Sequence, residues 1–230
     1  VSDFLIFSND CDDGTAEILD RLDELGVIRH LPNPSTITGG SPHTTCLRYA
    51  PFHKEFERSD YIVVIDVDEF ITVSSAEGTL NSLVKENGAP DVISLSELIF
   101  GFGGVAEFTD EPVMEQFRYS NDLRPGKARA RRGVKSIIRN GEKIRAFTNH
   151  RPVVKQDYYT SVHWVDGSGR PVAPDFISGE DRGFDCRTQK SQSTTSRPRS
   201  SSCSAMPSRY RRVYGRHQTC RCSQQIGYRS

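Results

Sequence analysis

Five consecutive apolar residues, Tyr61-Ile62-Val63-Val64-Ile65, run directly into the acidic string Asp66-Val67-Asp68-Glu69. Side chains of a β-strand alternate between two faces, so a run without polar alternation has to be covered on both sides. That points to a central strand of a parallel sheet with helices on each face. The acidic string then falls at the carboxyl end of the strand, where open α/β sheets bind their ligands.

The flanking pattern agrees with an α/β chain. Phe4-Leu5-Ile6-Phe7 reads as a strand stopped by Ser8-Asn9-Asp10, and a helix is expected over Asp13–Leu25. Its apolar face would be Ile18, Leu19, Leu22 and Leu25, with Gly26 closing it. Val27-Ile28 begins a second strand, and the Pro/Gly/Ser-rich stretch 32–41 is a loop. Ser41 and Pro42 predict a helix that runs to about Arg58. A short helix over Leu80–Glu86 and a strand at Val92–Leu95 follow, and further strands are expected at Val113–Tyr119 and Val134–Arg139. The fold expected is an open, mostly parallel α/β sheet of Rossmann-like type flanked by helices, with a smaller antiparallel part. No run approaches the roughly 18–20 apolar residues of a membrane span. No secretory signal is legible at the N-terminus, so the expected location is the cytoplasm, free or at the membrane surface.

Charge divides the chain in two. Its 30 basic and 30 acidic residues cancel, but the 45 residues from Cys186 to Ser230 hold ten Lys and Arg and no carboxylate. Residues 1–185 therefore carry twenty basic and thirty acidic groups, a net −10. The tail also has ten Ser and no Leu or Phe, which predicts disorder. A basic nucleic-acid arm is one reading of its charge, though nucleic acid is disfavoured as the main partner. Cys186, Cys203, Cys220 and Cys222 lack the paired spacing of a zinc site, and Cys11 and Cys46 do not suggest a disulfide framework.

Two acidic clusters end strands that crossovers would bring to one sheet edge: Asn9-Asp10-Cys11-Asp12-Asp13 and Asp66-Val67-Asp68-Glu69. Asp66 and Asp68 can direct two hard oxygen donors to a Mg²⁺ or Mn²⁺ ion that shares its sphere with water and phosphate. The bland alternatives are surface acids and helix caps, most natural for Asp12 or Asp13 ahead of a helix. A strand-end Asp-x-Asp also suits a haloacid-dehalogenase-type phosphatase. That motif wants Thr or Val where this chain has Phe70, and it sits at the first strand of its fold.

The run from Asp60 to Phe70 resembles the metal-binding segment of family 2-like glycosyltransferases with a GT-A fold, in the bacterial branch whose motif reads Asp-x-Asp-Glu-Phe. The opening from Phe4 to Thr15 is similar to that family's second strand and its Asn/Asp-rich turn. Ile99–Gly104, Pro112–Phe117, Val134–Arg139 and His150 with Pro152 match in order and spacing, so the likeness covers roughly residues 1–170. It implies transfer of a sugar from a nucleotide-sugar donor to a carbohydrate or other hydroxyl acceptor. Asp66 and Asp68 would hold the metal on the diphosphate. Asn9, Asp10, Asp13, Lys135 and His150 would line the donor site, with His163 a further polar candidate. Glu97, or alternatively Glu115, would be the base that deprotonates the acceptor.

Two departures from that family carry expectations. Its members enter with an earlier strand and an Asn-Glu segment, so part of the nucleotide pocket would be missing, and an inactive fragment becomes the alternative. Beyond about Cys186 the Ser/Arg-rich tail replaces the family's helix, as an out-of-frame reading of a GC-rich gene would. The domains expected are therefore 1–185, transferase-like, and 186–230, a tail foreign to it.

Overall fold

The computed structural model describes residues 1–38, 41–75, 77–101, 103–105, 110–120, 131–179, 184–185, 193–198 and 223–228. Strand β1 (Asp3–Ser8) leads to helix α1 (Thr15–Glu24) and strand β2 (Arg29–Pro32). The short helix α2 (Ser35–Thr38), helix α3 (Pro42–Tyr49) and helix α4 (Lys54–Glu57) precede the central strand β3 (Tyr61–Asp66). Next come β4 (Phe70–Val73), α5 (Leu80–Glu86), β5 (Val92–Gly101), α6 (Val113–Gln116) and β6 (Tyr119–Ser120). The described chain continues through β7 (Arg131–Arg132), β8 (Val134–Arg139), β9 (Ile144–Ala146), β10 (Val153–Val154), β11 (Trp164–Asp166) and α7 (Pro174–Ser178). Three strands close it: β12 (Phe184–Asp185), β13 (Ser193–Pro198) and β14 (Ser223–Tyr228).

The main sheet runs β2-β1-β14-β3-β8-β5-β13-β4, with β11 and β6 also bonded to β5. It is mixed: β1, β2, β3, β5, β11 and β13 share one direction, and β8, β14, β4 and β6 oppose them. An antiparallel β8 between β3 and β5 makes the sheet less parallel than its apolar strands suggest.

Both faces of β3 are buried, as its uninterrupted apolar run demands. Tyr61, Val63 and Ile65 pack with Leu83 and Val84 of α5, Ile93 and Leu95 of β5 and Ile137 of β8. Ile62 turns the other way, into a cluster with Leu5, Phe7, Cys46, Ala50 and Phe56. On that side Trp164 and Phe176 also stack edge to face, at 5.4 Å between ring centres.

Local sequence explains most of the elements. Thr79 and Ser82 form a reciprocal capping box at the start of α5. Gly26, at φ 70°, closes α1 as expected: its N–H donates to the Asp23 carbonyl and that of Val27 to Leu22. Of the predicted apolar face, however, Leu19 is buried while Ile18 and Leu25 remain exposed. The helix expected to Arg58 stops at Tyr49, because Pro51 lacks the amide needed to continue it; the chain tightens over Ala50–Phe52 and restarts as α4. The strand expected over Val113–Tyr119 is instead the helix α6, with only Tyr119 of that range in β6. The Pro112 carbonyl accepts the Glu115 and Gln116 amides and starts a helical turn there.

A buried polar relay fastens the first β-α-β unit. Ser8 Oγ lies 2.7 Å from His30 Nε2, and His30 Nδ1 lies 2.7 Å from Asp20 Oδ1. Ser8 and His30 are buried, so this relay joins β1, β2 and α1 rather than facing a substrate.

Two segments of the tail, β13 and β14, are strands of the main sheet, which departs from the disorder expected of residues 186–230. Their ladders are made by main-chain groups, and a polar sequence is no bar to those. The remainder of that segment, including Cys186, Cys203, Cys220 and Cys222, lies outside the described residues. Cys46 is buried and forms no disulfide, whereas Cys11 is disulfide-bonded, which departs from the expectation that these two cysteines carry no disulfide framework. Among the described residues no helix is long and apolar enough to cross a membrane.

Tyr61 offers a test of the central packing. Its hydroxyl donates to the Pro90 carbonyl at 2.9 Å, and the Arg139 guanidinium lies over its ring. Burial raises its pKa above the ordinary 10.0, with Arg139 partly opposing the shift. The fold thus retains the phenolic proton, and the stability it contributes is complete below pH 10 and declines as pH rises through the raised value. Tyr61→Phe is expected to cost about 1 kcal/mol at neutral pH and to flatten that alkaline decline, as urea unfolding at neutral and alkaline pH would show.

Candidate functional site

The acidic string after β3 folds back on itself. The Glu69 N–H donates to the Asp66 carbonyl at 3.0 Å, and the Asp66 N–H donates to Glu69 Oε2 at 2.9 Å. Together they close a four-residue turn that buries Asp66 and Glu69, half-buries Asp68 and exposes Val67. Glu69 is therefore the brace of the turn, a role its place in an acidic run does not reveal.

Lys135 enters this turn from β8, whose first residues lie at the same edge of the sheet. Its side chain is fully buried. Nζ lies 2.9 Å from Glu69 Oε2 and 3.7 Å from Asp66 Oδ2, and it donates to Asn149 Oδ1 at 2.8 Å. The resemblance implied a donor-site lysine; the fold pairs it internally with Glu69 and Asp66. Burial raises the Glu69 pKa above its ordinary 4.5, and the nearby ammonium partly offsets this. Glu69 Oε1 is buried and has no hydrogen-bond partner among the described residues. On the other side of Asp66, His43 Nε2 from the start of α3 lies 4.0 Å from Oδ1. Neither His43 nor Asn149 stands out in the sequence; only the fold brings them to Asp66.

Glu97 belongs to the same edge. On β5, Leu95 is the register partner of Lys135, so Glu97 and Lys135 are diagonal neighbours on one face. The Glu97 carboxylate is buried, with His150 Nδ1 3.5 Å from its Oε1. That nitrogen also lies 3.2 Å from the Val134 carbonyl, so a proton on Nδ1 orients the exposed imidazole. Gly133 packs against the carboxylate so closely that a Cβ there would come within 2.3 Å of Glu97 Oε2.

The other sequence candidates separate from this cluster. Asn9 Nδ2 donates to the Asn33 carbonyl at 2.9 Å, and Asp10 accepts the Ser35 amide and hydroxyl, joining the ends of β1 and β2. Asp13 Oδ1 accepts the Thr15 N–H at 3.1 Å at the start of α1. These contacts give Asn9, Asp10 and Asp13 structural tasks. With β14 between β1 and β3, their turn is about two strand spacings, roughly 10 Å, from Asp66 along the same edge. Glu115 is exposed on α6 and ion-paired with Arg118 of its own turn. The His163 N–H donates to Asp91 Oδ2 at 2.8 Å, beside the start of β5 and thus at the opposite edge.

Among the described residues no group of three His, Cys, Asp or Glu side chains forms a metal cage. Asp66 and Asp68 offer one or two carboxylates, the number that a cation completed by phosphate and water would need. No family model matches the chain, and no curated protein matches it.

The brace gives a direct prediction. Lys135→Met leaves two buried carboxylates facing each other and is expected to cost about 3–5 kcal/mol in denaturant unfolding. Glu69→Gln combined with Lys135→Met removes both charges and should recover most of that loss.

Proposed function

We propose that residues 1–185 act as a glycosyltransferase domain of GT-A type, moving a sugar from a nucleotide-sugar donor to an acceptor hydroxyl. The observation that carries this reading is the convergence of Asp66, Lys135 and Glu97, from the adjacent strands β3, β8 and β5, at the edge where the parallel strands end. The resemblance of residues 60–70 to a transferase metal segment supports it from the sequence side.

The residues divide the work by position. Asp66 and Asp68 would hold Mg²⁺ or Mn²⁺ against the donor diphosphate. That cation, when bound, neutralises the charge on the departing nucleotide. Glu69 holds the Asp66 backbone in place, so the strand end that carries the carboxylate is fixed before the donor arrives. His150, oriented by the Val134 carbonyl and exposed toward solvent, is placed to meet the donor or acceptor. Glu97 is the group assigned to take the acceptor proton. Its carboxylate is buried beside the His150 imidazole, 3.5 Å from Nδ1. Asn9 and Asp10 order the neighbouring turn, which would form one wall of the nucleotide site.

Calorimetry with UDP- and GDP-sugars, with and without Mn²⁺, tests the reading. Metal-dependent donor binding that disappears in Asp66→Asn and falls in Asp68→Asn is the expected result. No donor binding under any of these conditions would assign the chain to a non-catalytic fragment. Glu97→Gln is expected to lower kcat by about 10²–10⁴-fold and leave donor affinity close to wild type. Full activity in that variant would remove Glu97 from the base role.

A further inference from the structure

Lys135 is an unusual neighbour for a carboxylate that is to bind a cation. It is a strand residue with no exposed side-chain surface, and its ammonium already lies 3.7 Å from Asp66 Oδ2 and 2.9 Å from Glu69 Oε2. A lysine is rarely taken wholly out of water unless paired, so the two carboxylates and the Asn149 oxygen are what hold it there. Of the two, Glu69 is the closer partner, fixed through the Asp66 amide. Asp66 is the looser one, at ion-pair rather than hydrogen-bond distance.

We propose that Lys135 is a resident counter-ion from which Asp66 is released when a divalent cation binds, with Glu69 retaining the ammonium throughout. This deepens the reading of Asp66 as a metal ligand and rests on it. In the cation-free protein the ammonium neutralises Asp66 and prevents two facing carboxylates from disrupting the end of β3. On cation binding Asp66 turns outward, and the Glu69 and Asn149 contacts keep Lys135 from following. The protein alone then binds a free divalent ion weakly, and the donor diphosphate supplies the remaining attraction. Lys135 is thus a positioning residue that sets metal affinity. It is not a catalytic one.

The test is a titration of the intact 230-residue chain with Mn²⁺ alone, followed by electron paramagnetic resonance, so that no activity measurement enters. Wild type, Lys135→Met, Glu69→Gln/Lys135→Met and Asp66→Asn are compared, with folding of each checked by circular dichroism. The double variant removes one positive and one negative charge, leaving the net charge of the cluster unchanged. A gain in affinity there reports loss of the competing ammonium rather than added negative charge. Lys135→Met is expected to bind Mn²⁺ about tenfold more tightly or better, and the double variant more tightly than wild type by a smaller factor. If Lys135→Met does not fold, the double variant decides by the same criterion. Unchanged or weaker binding in the lysine variants, with binding still lost in Asp66→Asn, overturns the counter-ion role and leaves the metal-ligand reading standing. Equal binding in all four proteins places Mn²⁺ away from Asp66 and overturns both.

Discussion

A lysine ammonium buried among two carboxylates and an asparagine oxygen fixes the working edge of this sheet. Lys135 joins β8 to the turn after β3, and Glu69 joins that turn to its own strand through the Asp66 amide. Remove the ammonium, and Asp66 and Glu69 confront one another with little solvent to screen them. The same arrangement leaves Asp66 at the surface of the cluster, with its second oxygen toward His43. The contact that stabilises the strand end is thus the contact that governs how available the carboxylate is.

The fold delivers these groups to one place by a simple route. β3 and β5 run in the same direction, so Asp66 and Glu97 approach the same edge, and β8 between them runs the other way, so it begins there. An antiparallel strand in this position contributes residues from its start, Gly133 to Lys135, where a parallel one would contribute its end. Apolar side chains on both faces of β3 pack the three strands together, and their register makes Glu97 and Lys135 diagonal neighbours. Gly133 is part of that geometry, because a side chain at this position would collide with the Glu97 carboxylate.

Much of this was legible in the residues, and the failures have physical causes. The apolar run of β3 declared its burial on both faces, and Gly26 declared the end of α1. Ser41 and Pro42 predicted a helix through to Arg58, and the amide missing at Pro51 ended it at Tyr49. Val113–Tyr119 has strand-like composition, and the turn begun at Pro112 overrode it. Nothing in the sequence marks Lys135 as buried, because its partners are far away along the chain and a charge's burial depends on partners that only the fold supplies. His43 and Asn149 carry no local signal for the same reason. The Asn/Asp-rich turn after β1 suggested a ligand or a helix cap, and its described hydrogen bonds go to Asn33, Ser35 and the start of α1.

We propose that the Asp66 carboxylate, at the end of β3, is where this protein meets a metal-bound diphosphate. The most direct measurement is a crystal structure of the chain grown with UDP and Mn²⁺, recorded with anomalous data at a wavelength where manganese scatters strongly. The account predicts one anomalous peak within coordination distance of an Asp66 oxygen and a diphosphate oxygen, with Lys135 still on Glu69. A peak bound elsewhere, or a nucleotide seated with Asp66 still held by Lys135, would contradict it.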